Sequence, residues 1–324
     1  MVIRMRAMFH LVLLASLAGT AAAAQNWPAR PVRLLVTLPP GTSIDITARL
    51  LADRATRMWG QQVIIDNRSG GQSVIGTQIA ARSSPDGYTL FLGTTAAVVT
   101  NVYTFKSLPY DPEKDLTPVA MISKSPFVLA VNAAVPARTF AELIALEKSR
   151  PGNLTMANQG PRTFGGMMGQ MLNVTAGMKV RQIPYNAIAA AVQDTVAGRT
   201  HVILLSSAAI APFVKRGDLR PLAVTAGRRI TGFEQVPTLA ETFPGFEYVG
   251  WSVLFAPNGT PAAILNRVNR DMGRILADSE VTSRLHELGV ITEGAGTPRS
   301  VAEFLRAEHA RWRRTVREIG IEPE

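Results

Sequence analysis

The chain has 324 residues, a formal net charge of +10 and no cysteine. The absence of cysteine excludes disulfides, thiol catalysis, cysteine-ligated zinc and lipid attachment through an N-terminal cysteine. A chain of this length can bury roughly three quarters of the surface that its unfolded form exposes, so it needs no covalent cross-links. The length also predicts about two domains.

The first residues have the pattern of a secretory signal peptide. Arg4 and Arg6 form a basic region, residues 9–18 are apolar, and residues 22–24 are three alanines suited to cleavage. The apolar stretch is too short for a lasting transmembrane anchor. We therefore predict that residues 1–24 are removed. The remaining 324 − 24 = 300 residues are expected in the periplasm, and not as a lipoprotein.

The basic residues do not predict a nucleic-acid partner. Without Arg4 and Arg6 the net charge is +10 − 2 = +8, and most of these charges are scattered along the chain. A cluster of four arginines in residues 311–317 lies in a predicted helix beside glutamates, which is typical of a solvated helix face. We expect no contact with nucleic acid.

In chain order, β-branched apolar runs alternate with segments of helical periodicity. Strands are predicted over residues 33–37, 62–66, 88–93, 119–122, 127–131, 155–157, 180–183, 201–205, 222–225 and 248–255. Helices are predicted over residues 45–59, 74–82, 140–150, 165–176, 187–197, 208–216, 261–277, 280–288 and 298–319.

This alternation predicts an α/β fold of two βαβ units, each a mainly parallel sheet flanked by helices. We expect the three closing helices to pack back on the first unit. Domain 1 is therefore placed at residues 25–126 plus 249–324, and domain 2 at residues 127–248.

No catalytic motif is present. The sequence lacks Gly-x-Ser-x-Gly, His-Glu-x-x-His and Gly-x-Gly-x-x-Gly, and residues 71–76 lack the lysine of a phosphate loop. His201, His286 and His309 are far apart in the sequence, and each is typical of a structural histidine. We predict no catalytic residue, no metal ligand and no cofactor.

Four loops have the composition of anion sites at the starts of helices: residues 39–45, 67–73, 93–95 and 158–163. In open α/β sheets, ligands bind beyond the carboxyl ends of the strands, where free N–H groups of helices favour negative charge. Each loop taken alone is better explained by helix capping and turn formation. Together, with members in both units, the loops predict two sides of a cleft. Asp45 is expected to support the helix start and not to touch the ligand.

The ordered motifs resemble those of the solute-binding proteins of tripartite tricarboxylate transporters, the Bug family, over nearly the whole mature chain. Residues 38–45, Leu-Pro-Pro-Gly-Thr-Ser-Ile-Asp, are similar to the family's Phe-Pro-(Ala/Pro)-Gly-Gly-x-x-Asp loop. Residues 66–71, Asp-Asn-Arg-Ser-Gly-Gly, are similar to Glu-Asn-Arg-Pro-Gly-Ala. Further matches follow at residues 27–32, 85–90, 108–112, 184–185, 222–225 and 236–238.

The resemblance implies a two-domain periplasmic binding protein of the type II-like flytrap form. It implies a small carboxylate ligand, held by backbone N–H groups and hydroxyls of facing loops, and delivery to integral membrane transporter subunits. We expect the protein to be a monomer. The ligand-binding residues expected on this basis are Pro40, Gly41, Thr42, Ser43, Thr94, Thr95, Asn158, Gln159, Gly160, Arg162, Thr163, Tyr185 and Ser206.

The chain departs from the family pattern within these loops. Thr42 and Arg162 stand where relatives have glycine, Gly166 where a histidine is common, Asn186-Ala187 where Lys-Gly is usual, and Leu205 where an aspartate is common. Arg162 beside the cleft would clamp a carboxylate through two parallel hydrogen bonds, whereas on the rim it would point to solvent. Both alternatives stay open. We favour a dicarboxylate, or an acid with an aromatic or otherwise apolar body.

Two other functions fit the same sequence. One is a periplasmic enzyme that acts on a small organic acid, with Asp45 or His201 as the base. The other is a ligand-loaded sensory partner of a membrane receptor, whose ligand site would look identical. Chemical conversion of the ligand would reveal the first, and capture of a receptor would reveal the second.

Overall fold

The computed structural model describes residues 27–158, 160–185, 187–287 and 289–324. The predicted signal peptide, residues 1–24, lies outside these residues. Within the part of the chain that is described, no helix combines the length and the apolar character needed to cross a membrane.

The described strands form one sheet of nine, in the order β2-β1-β3-β9-β4-β7-β5-β6, with β8 also paired to β4. Their bounds are Val32–Val36 (β1), Val63–Asn67 (β2), Thr89–Thr94 (β3), Leu116–Asn132 (β4), Thr155–Asn158 (β5), Arg181–Pro184 (β6), Val202–Ser206 (β7), Leu219–Val224 (β8) and Val249–Pro257 (β9).

The helices are Ser43–Trp59 (α1), Val74–Ala81 (α2), Asn101–Thr104 (α3), Pro112–Asp115 (α4), Phe140–Ser149 (α5), Phe164–Ala176 (α6), Ile188–Val196 (α7), Ser207–Lys215 (α8), Leu239–Thr242 (α9), Ala262–Leu276 (α10), Ser279–Glu287 (α11) and Pro298–Glu318 (α12). A 3₁₀ turn, Gly71–Ser73, precedes α2, and a wider π-type turn, Ala96–Thr100, precedes α3. The long helices agree with the predicted ones to within a few residues. The short helices α3, α4 and α9 were not predicted.

The central strand β4 corrects one prediction. Residues 119–122 and 127–131 were predicted as two strands, but the backbone continues through Pro126 as one strand. Up to Pro126, β4 pairs with β9, and from Phe127 onward it pairs with β7 and β8. A proline has no N–H to give to a sheet, so it is tolerated where a strand exchanges one neighbour for another.

This exchange divides the sheet into two groups of strands. We call the first lobe β1, β2, β3, β9 and residues 116–126 of β4, together with the helices packed on them. The second lobe is β5, β6, β7, β8 and residues 127–132 of β4, with their helices. The exchange falls at the domain boundary expected from the sequence, and the boundary itself stays a prediction.

The α/β class is confirmed, but both lobes contain mixed sheets and not mainly parallel ones. The pairs β1–β2, β1–β3, β5–β6 and β5–β7 are parallel. The pairs of β9 with β3 and β4, and of β4 with β7 and β8, are antiparallel. The antiparallel part arises because β4 and β9 run between the lobes in opposite directions.

The closing helices pack on the first lobe. Helix α10 contacts β4 and α1, and α12 contacts β4 and α3. One buried cluster joins Leu51 of α1 with Val268 of α10 and Leu254 of β9. Burial of such large aliphatic side chains stabilises the fold by about 1.5–3 kcal/mol each. The loops at the carboxyl ends of β1 and β3 therefore follow strands that are anchored in this buried cluster.

Candidate functional site

The first candidate loop joins β1 to α1 and is fixed by its own side chains. Oγ1 of Thr42 caps α1 by accepting the N–H of Asp45 at 3.4 Å, and donates to the carbonyl of Pro39 at 2.8 Å. Gly41 has a φ of 83°, a conformation that glycine adopts without strain. Pro40, Gly41 and Ser43 are exposed. The predicted residues therefore form one surface at the start of α1.

The carboxylate of Asp45 is buried beneath this surface. Its Oδ2 accepts the N–H of Gly41 and Nε of Arg49, and its Oδ1 accepts Nδ2 of Asn67, each at 2.9 Å. Burial by itself raises the pKa of Asp45, but the hydrogen bonds from Arg49, Gly41 and Asn67 outweigh it, so the pKa is lowered. A carboxylate that is buried, fully paired and less basic is suited to support and not to proton abstraction.

The predicted hydroxyls after β3 have different roles. Thr95 is buried, and its Oγ1 accepts the backbone N–H of Trp251 at 3.2 Å, which ties the loop to β9. Thr94 is half-buried, and among the described residues its hydroxyl has one hydrogen-bond partner, the N–H of Ala97 at 3.5 Å. Thr94 therefore retains capacity for a ligand, whereas Thr95 positions the loop.

In the second lobe, Asn158 shapes the loop between β5 and α6. It is buried, and its Nδ2 donates to Oε1 of Gln182 at 2.6 Å. Its Oδ1 accepts the N–H of Gly160 at 2.7 Å, and its carbonyl accepts the N–H of Tyr185 at 2.8 Å. Asn158 thus supports the loop from below. Gln159, also predicted as a ligand residue, lies outside the described residues.

Thr163 caps α6 in the same way that Thr42 caps α1. Its Oγ1 accepts the N–H of Gly166 at 3.2 Å and donates to the carbonyl of Gly160 at 2.8 Å. Gly160 has a φ of 117°. Each lobe therefore presents a helix start whose threonine bonds to a carbonyl three residues earlier and to an N–H three residues later.

The side chain of Arg162 is not directed to solvent, whereas its place in a ligand cleft stays a prediction. Its Nη2 donates to the carbonyl of Glu322 at 2.9 Å, and its Nη1 lies 2.8 Å from Oε1 of Glu324. The side chain is only 22% exposed. Arg162 therefore does not point to solvent, and its guanidinium is occupied by the last residues of the chain.

The other predicted residues of the second lobe differ in how much of their hydrogen-bonding capacity is in use. Tyr185 donates its hydroxyl proton to Oδ2 of Asp194 at 2.7 Å, so its oxygen can contact a ligand only as an acceptor. Ser206 ends β7 and precedes α8, and its side chain makes no capping hydrogen bond. Leu205 belongs to the apolar core of this lobe.

His201 lies away from these loops. It precedes β7, whereas Ser206 ends it, and its Nδ1 accepts the N–H of Thr155 at 3.2 Å. It borders a cavity of about 420 Å³ together with Arg150. Asp45, the other residue considered as a catalytic base, belongs to the first lobe, whereas His201 belongs to the second. Among the described residues, no group of three potential metal ligands comes together.

Sequence reasoning missed three features of this region. Asn67 links the second loop to the first through Asp45 and the carbonyl of Leu38. Phe164 packs against the rings of Phe127 and of Trp312 in α12, with distances between ring centroids of 4.4 Å and 5.7 Å. The third feature is the pairing of Arg162 with the chain's last residues. The link through Asn67 could have been inferred from an asparagine beside a glycine-rich turn. No local pattern indicates the contacts of Phe164 and Arg162, because their partners are distant in sequence.

The comparisons with known proteins define the class. The structure of R. palustris Rpa4515 with adipate has a TM-score of 0.82, is 33% identical, and covers 92% of this chain and 100% of that one. MatC (Rpa3494) from Rhodopseudomonas palustris with bound malate has a TM-score of 0.76, is 28% identical, and covers 90% of this chain and 100% of that one. Periplasmic binding protein BugD has a TM-score of 0.78 and 25% identity over 92% of this chain and 100% of that one.

The fold is therefore that of a periplasmic solute-binding protein. More specifically, the chain belongs to the TctC family, described as tripartite tricarboxylate transporter family receptor. The model of this family matches residues 47–321. The resemblance to the Bug proteins and the predicted α/β binding-protein fold are both confirmed.

Proposed function

We propose that this protein captures a small carboxylate between its two lobes and passes it to the integral membrane subunits of a tripartite tricarboxylate-type transporter. The favoured ligands are dicarboxylates or acids with an aromatic or apolar body. The protein would act as a monomer in the periplasm, after removal of its signal peptide, and without chemical conversion of the ligand.

The observation that carries this proposal is the matched pair of helix starts at Thr42 and Thr163, one in each lobe. The first turns of α1 and α6 have N–H groups without partners inside the helix, and the helix dipole adds positive potential there. Two such ends on separate lobes suit a small anion with acceptor oxygens on both sides. The similar structures that contain adipate and malate both hold dicarboxylates, which supports the same ligand class here.

Two measurements test the binding function. Mass spectrometry of small molecules released from the natively purified protein would identify the ligand. A thermal-shift screen of mono-, di- and tricarboxylates would rank the ligand classes. We expect at least one carboxylate to raise the melting temperature and to be recovered unchanged. Conversion of that carboxylate by the purified protein would favour the enzyme alternative instead.

A matched pair of variants tests the site. Thr163→Ala and Thr139→Ala each remove a threonine that caps a helix of the second lobe, with cap bonds of 3.2 Å and 3.1 Å. Each loss costs about 1 kcal/mol of stability. Only Thr163→Ala is expected to weaken carboxylate binding, by roughly fivefold, because it also loosens the Gly160 loop. Equal affinities in the two variants would place the ligand elsewhere.

Delivery to a transporter is proposed from the family membership. Cells that carry the transporter's membrane subunits should take up radiolabelled ligand faster when this protein is present. Uptake that is independent of the protein, together with capture of a membrane receptor by the loaded form, would favour the sensory alternative.

A further inference from the structure

We propose that the carboxylate of Glu324 occupies Arg162 in the unliganded protein and that one carboxylate of a dicarboxylate ligand displaces it. This inference rests on the proposed function and concerns the same cleft. It assigns Arg162 as a specificity-determining residue and Glu324 as its internal competitor.

The first support is the position of Arg162. It directly precedes Thr163, the cap of α6, and follows Gly160, whose carbonyl that cap holds. Arg162 therefore belongs to the loop that leads into this helix start, where the proposal places a ligand carboxylate. Arginine presents planar, paired donors that match the geometry of a carboxylate.

The second support is the anchoring of the chain's last residues to the other lobe. The N–H of Glu324 donates to the carbonyl of Thr104 at 3.2 Å, and the N–H of Lys106 donates to the carbonyl of Glu324 at 2.9 Å. Thr104 ends α3, which follows the β3 loop of the first lobe. The pairing of Arg162 with Glu324 therefore connects a loop of one lobe to a segment of the other.

The third support is that the present pairing leaves the guanidinium incompletely satisfied. Nη2 is used by the carbonyl of Glu322 and Nη1 by Glu324, but Nε is buried and has no partner among the described residues. A carboxylate that takes two parallel hydrogen bonds would use the donors of Arg162 more fully.

Solvent exposure indicates which partner leaves. The side chain of Glu324 is 60% exposed, whereas that of Arg162 is 22% exposed. An ion pair with one such exposed partner is weak, so a ligand carboxylate can replace it at little cost. Arg162 stays in place while one carboxylate is exchanged for another. The exchange requires a second carboxylate on the ligand, so it favours dicarboxylates over monocarboxylates of the same length.

The test compares adipate with hexanoate, which has the same carbon chain and one carboxylate fewer, by isothermal titration of the full chain. In Glu324→Gln, we expect adipate affinity to rise about two- to fivefold, because the weak competing ion pair is lost. Hexanoate affinity should not change. The matched control is Glu322→Gln, which removes the same charge from an exposed side chain whose residue uses only its carbonyl to contact Arg162. It should alter neither affinity.

A double variant separates competition from a general structural effect. Arg162→Gln should lower adipate affinity toward that of hexanoate. In that background, Glu324→Gln should have no further effect on adipate, because there is no guanidinium left to compete for.

Adipate affinity that is unchanged or lower in Glu324→Gln would overturn the inference. Binding of monocarboxylates with no binding of adipate, succinate or malate would also overturn it, and would leave the proposed function intact. If no carboxylate binds the wild type or any variant, the proposed function itself fails.

Discussion

Asn67 and Asp45 join two loops of the first lobe, because Nδ2 of Asn67 donates to Oδ1 of Asp45 at 2.9 Å. The same amide donates to the carbonyl of Leu38 at 3.0 Å. Asp45 in turn holds the N–H of Gly41, so a single buried carboxylate determines the shape of the loop proposed to contact the ligand.

Replacing this carboxylate should cost stability and affinity together. Asp45→Asn keeps the size of the side chain but loses an acceptor for Gly41, Arg49 or Asn67, so the free energy of unfolding should fall by about 1–3 kcal/mol. Carboxylate affinity should fall as well, because the N–H groups of the loop lose their orientation. Urea unfolding and titration calorimetry measure the two effects. The matched control is Asp53→Asn on the same helix, whose carboxylate makes an exposed ion pair with Arg57 and should matter little.

The stability difference between the wild type and Asp45→Asn should depend on pH in a definite direction. The pKa of Asp45 is lowered in the folded protein from its ordinary value of 3.8. Its contribution is therefore present above the unfolded pKa and is lost as the pH falls through the folded pKa. The wild type and Asp45→Asn should differ most near neutral pH and converge in acid. A difference that grows on acidification would contradict this assignment.

The two hydroxyls after β3 should respond differently to replacement by valine. Thr95→Val leaves the N–H of Trp251 without its acceptor, so the free energy of unfolding should fall by about 1–3 kcal/mol. Thr94→Val removes only a 3.5 Å contact with the N–H of Ala97, so stability should change little while ligand affinity falls. Denaturant unfolding and calorimetry on both variants make the comparison. Equal stability losses would refute the division of roles.

The long helices were predicted correctly because the patterns that define them are local. Gly60 ends α1 with a φ of 67°, a conformation that glycine commonly adopts directly after a helix. Thr42 and Thr163 cap their helices because the cap, its acceptor and its donor lie within a few residues of one another. Such arrangements depend on short-range geometry, which a sequence pattern carries directly.

The features that the sequence did not predict depend on contacts between residues that are distant in the chain. The sequence left Arg162 either in the cleft or in solvent, and it could not show that the partners of this side chain come from Glu322 and Glu324. Residues 119–122 and 127–131 were predicted as separate strands, but they form one strand that runs through Pro126 and exchanges β9 for β7 as its partner. Neither outcome can be obtained from periodicity, because each requires the relative placement of elements far apart in sequence.

A close approach at the start of α6 provides a further prediction. A Cβ added to Gly166 would lie 2.0 Å from the carbonyl oxygen of Gly160, so the loop would have to move. Gly166→Ala should therefore lower carboxylate affinity by at least roughly tenfold, with a stability loss of about 1–3 kcal/mol. In the adjacent control, Gly165→Ala, the nearest atom to the added Cβ is the carbonyl oxygen of Leu204 at 3.4 Å. Gly165→Ala should bind carboxylate nearly as the wild type does. Equal carboxylate affinities in the two variants would show that the Gly160 loop is not part of the site.

Glu308 of α12 should destabilise the protein as the pH rises. Its carboxylate is buried, Oε2 accepts Nε1 of Trp251 at 2.8 Å, and Oε1 lies 3.3 Å from Nη1 of Arg311. Burial has the largest effect and raises the pKa of Glu308 above its ordinary value of 4.5, despite the opposing contributions of Trp251 and Arg311. A raised folded pKa gives stability that is present below the unfolded pKa and is lost as the pH rises through the folded pKa.

Glu308→Gln should remove this pH dependence. The amide oxygen can still accept Nε1 of Trp251, and the side chain carries no charge at any pH. The variant should melt about 2–4 °C above the wild type at alkaline pH, and this advantage should disappear in acid, where the wild-type carboxyl is protonated. Melting curves at a series of pH values test the prediction, with Glu318→Gln on the exposed face of α12 as the control. A Glu308→Gln protein that is less stable than the wild type at every pH would mean that attraction to Arg311 outweighs the cost of burying the charge.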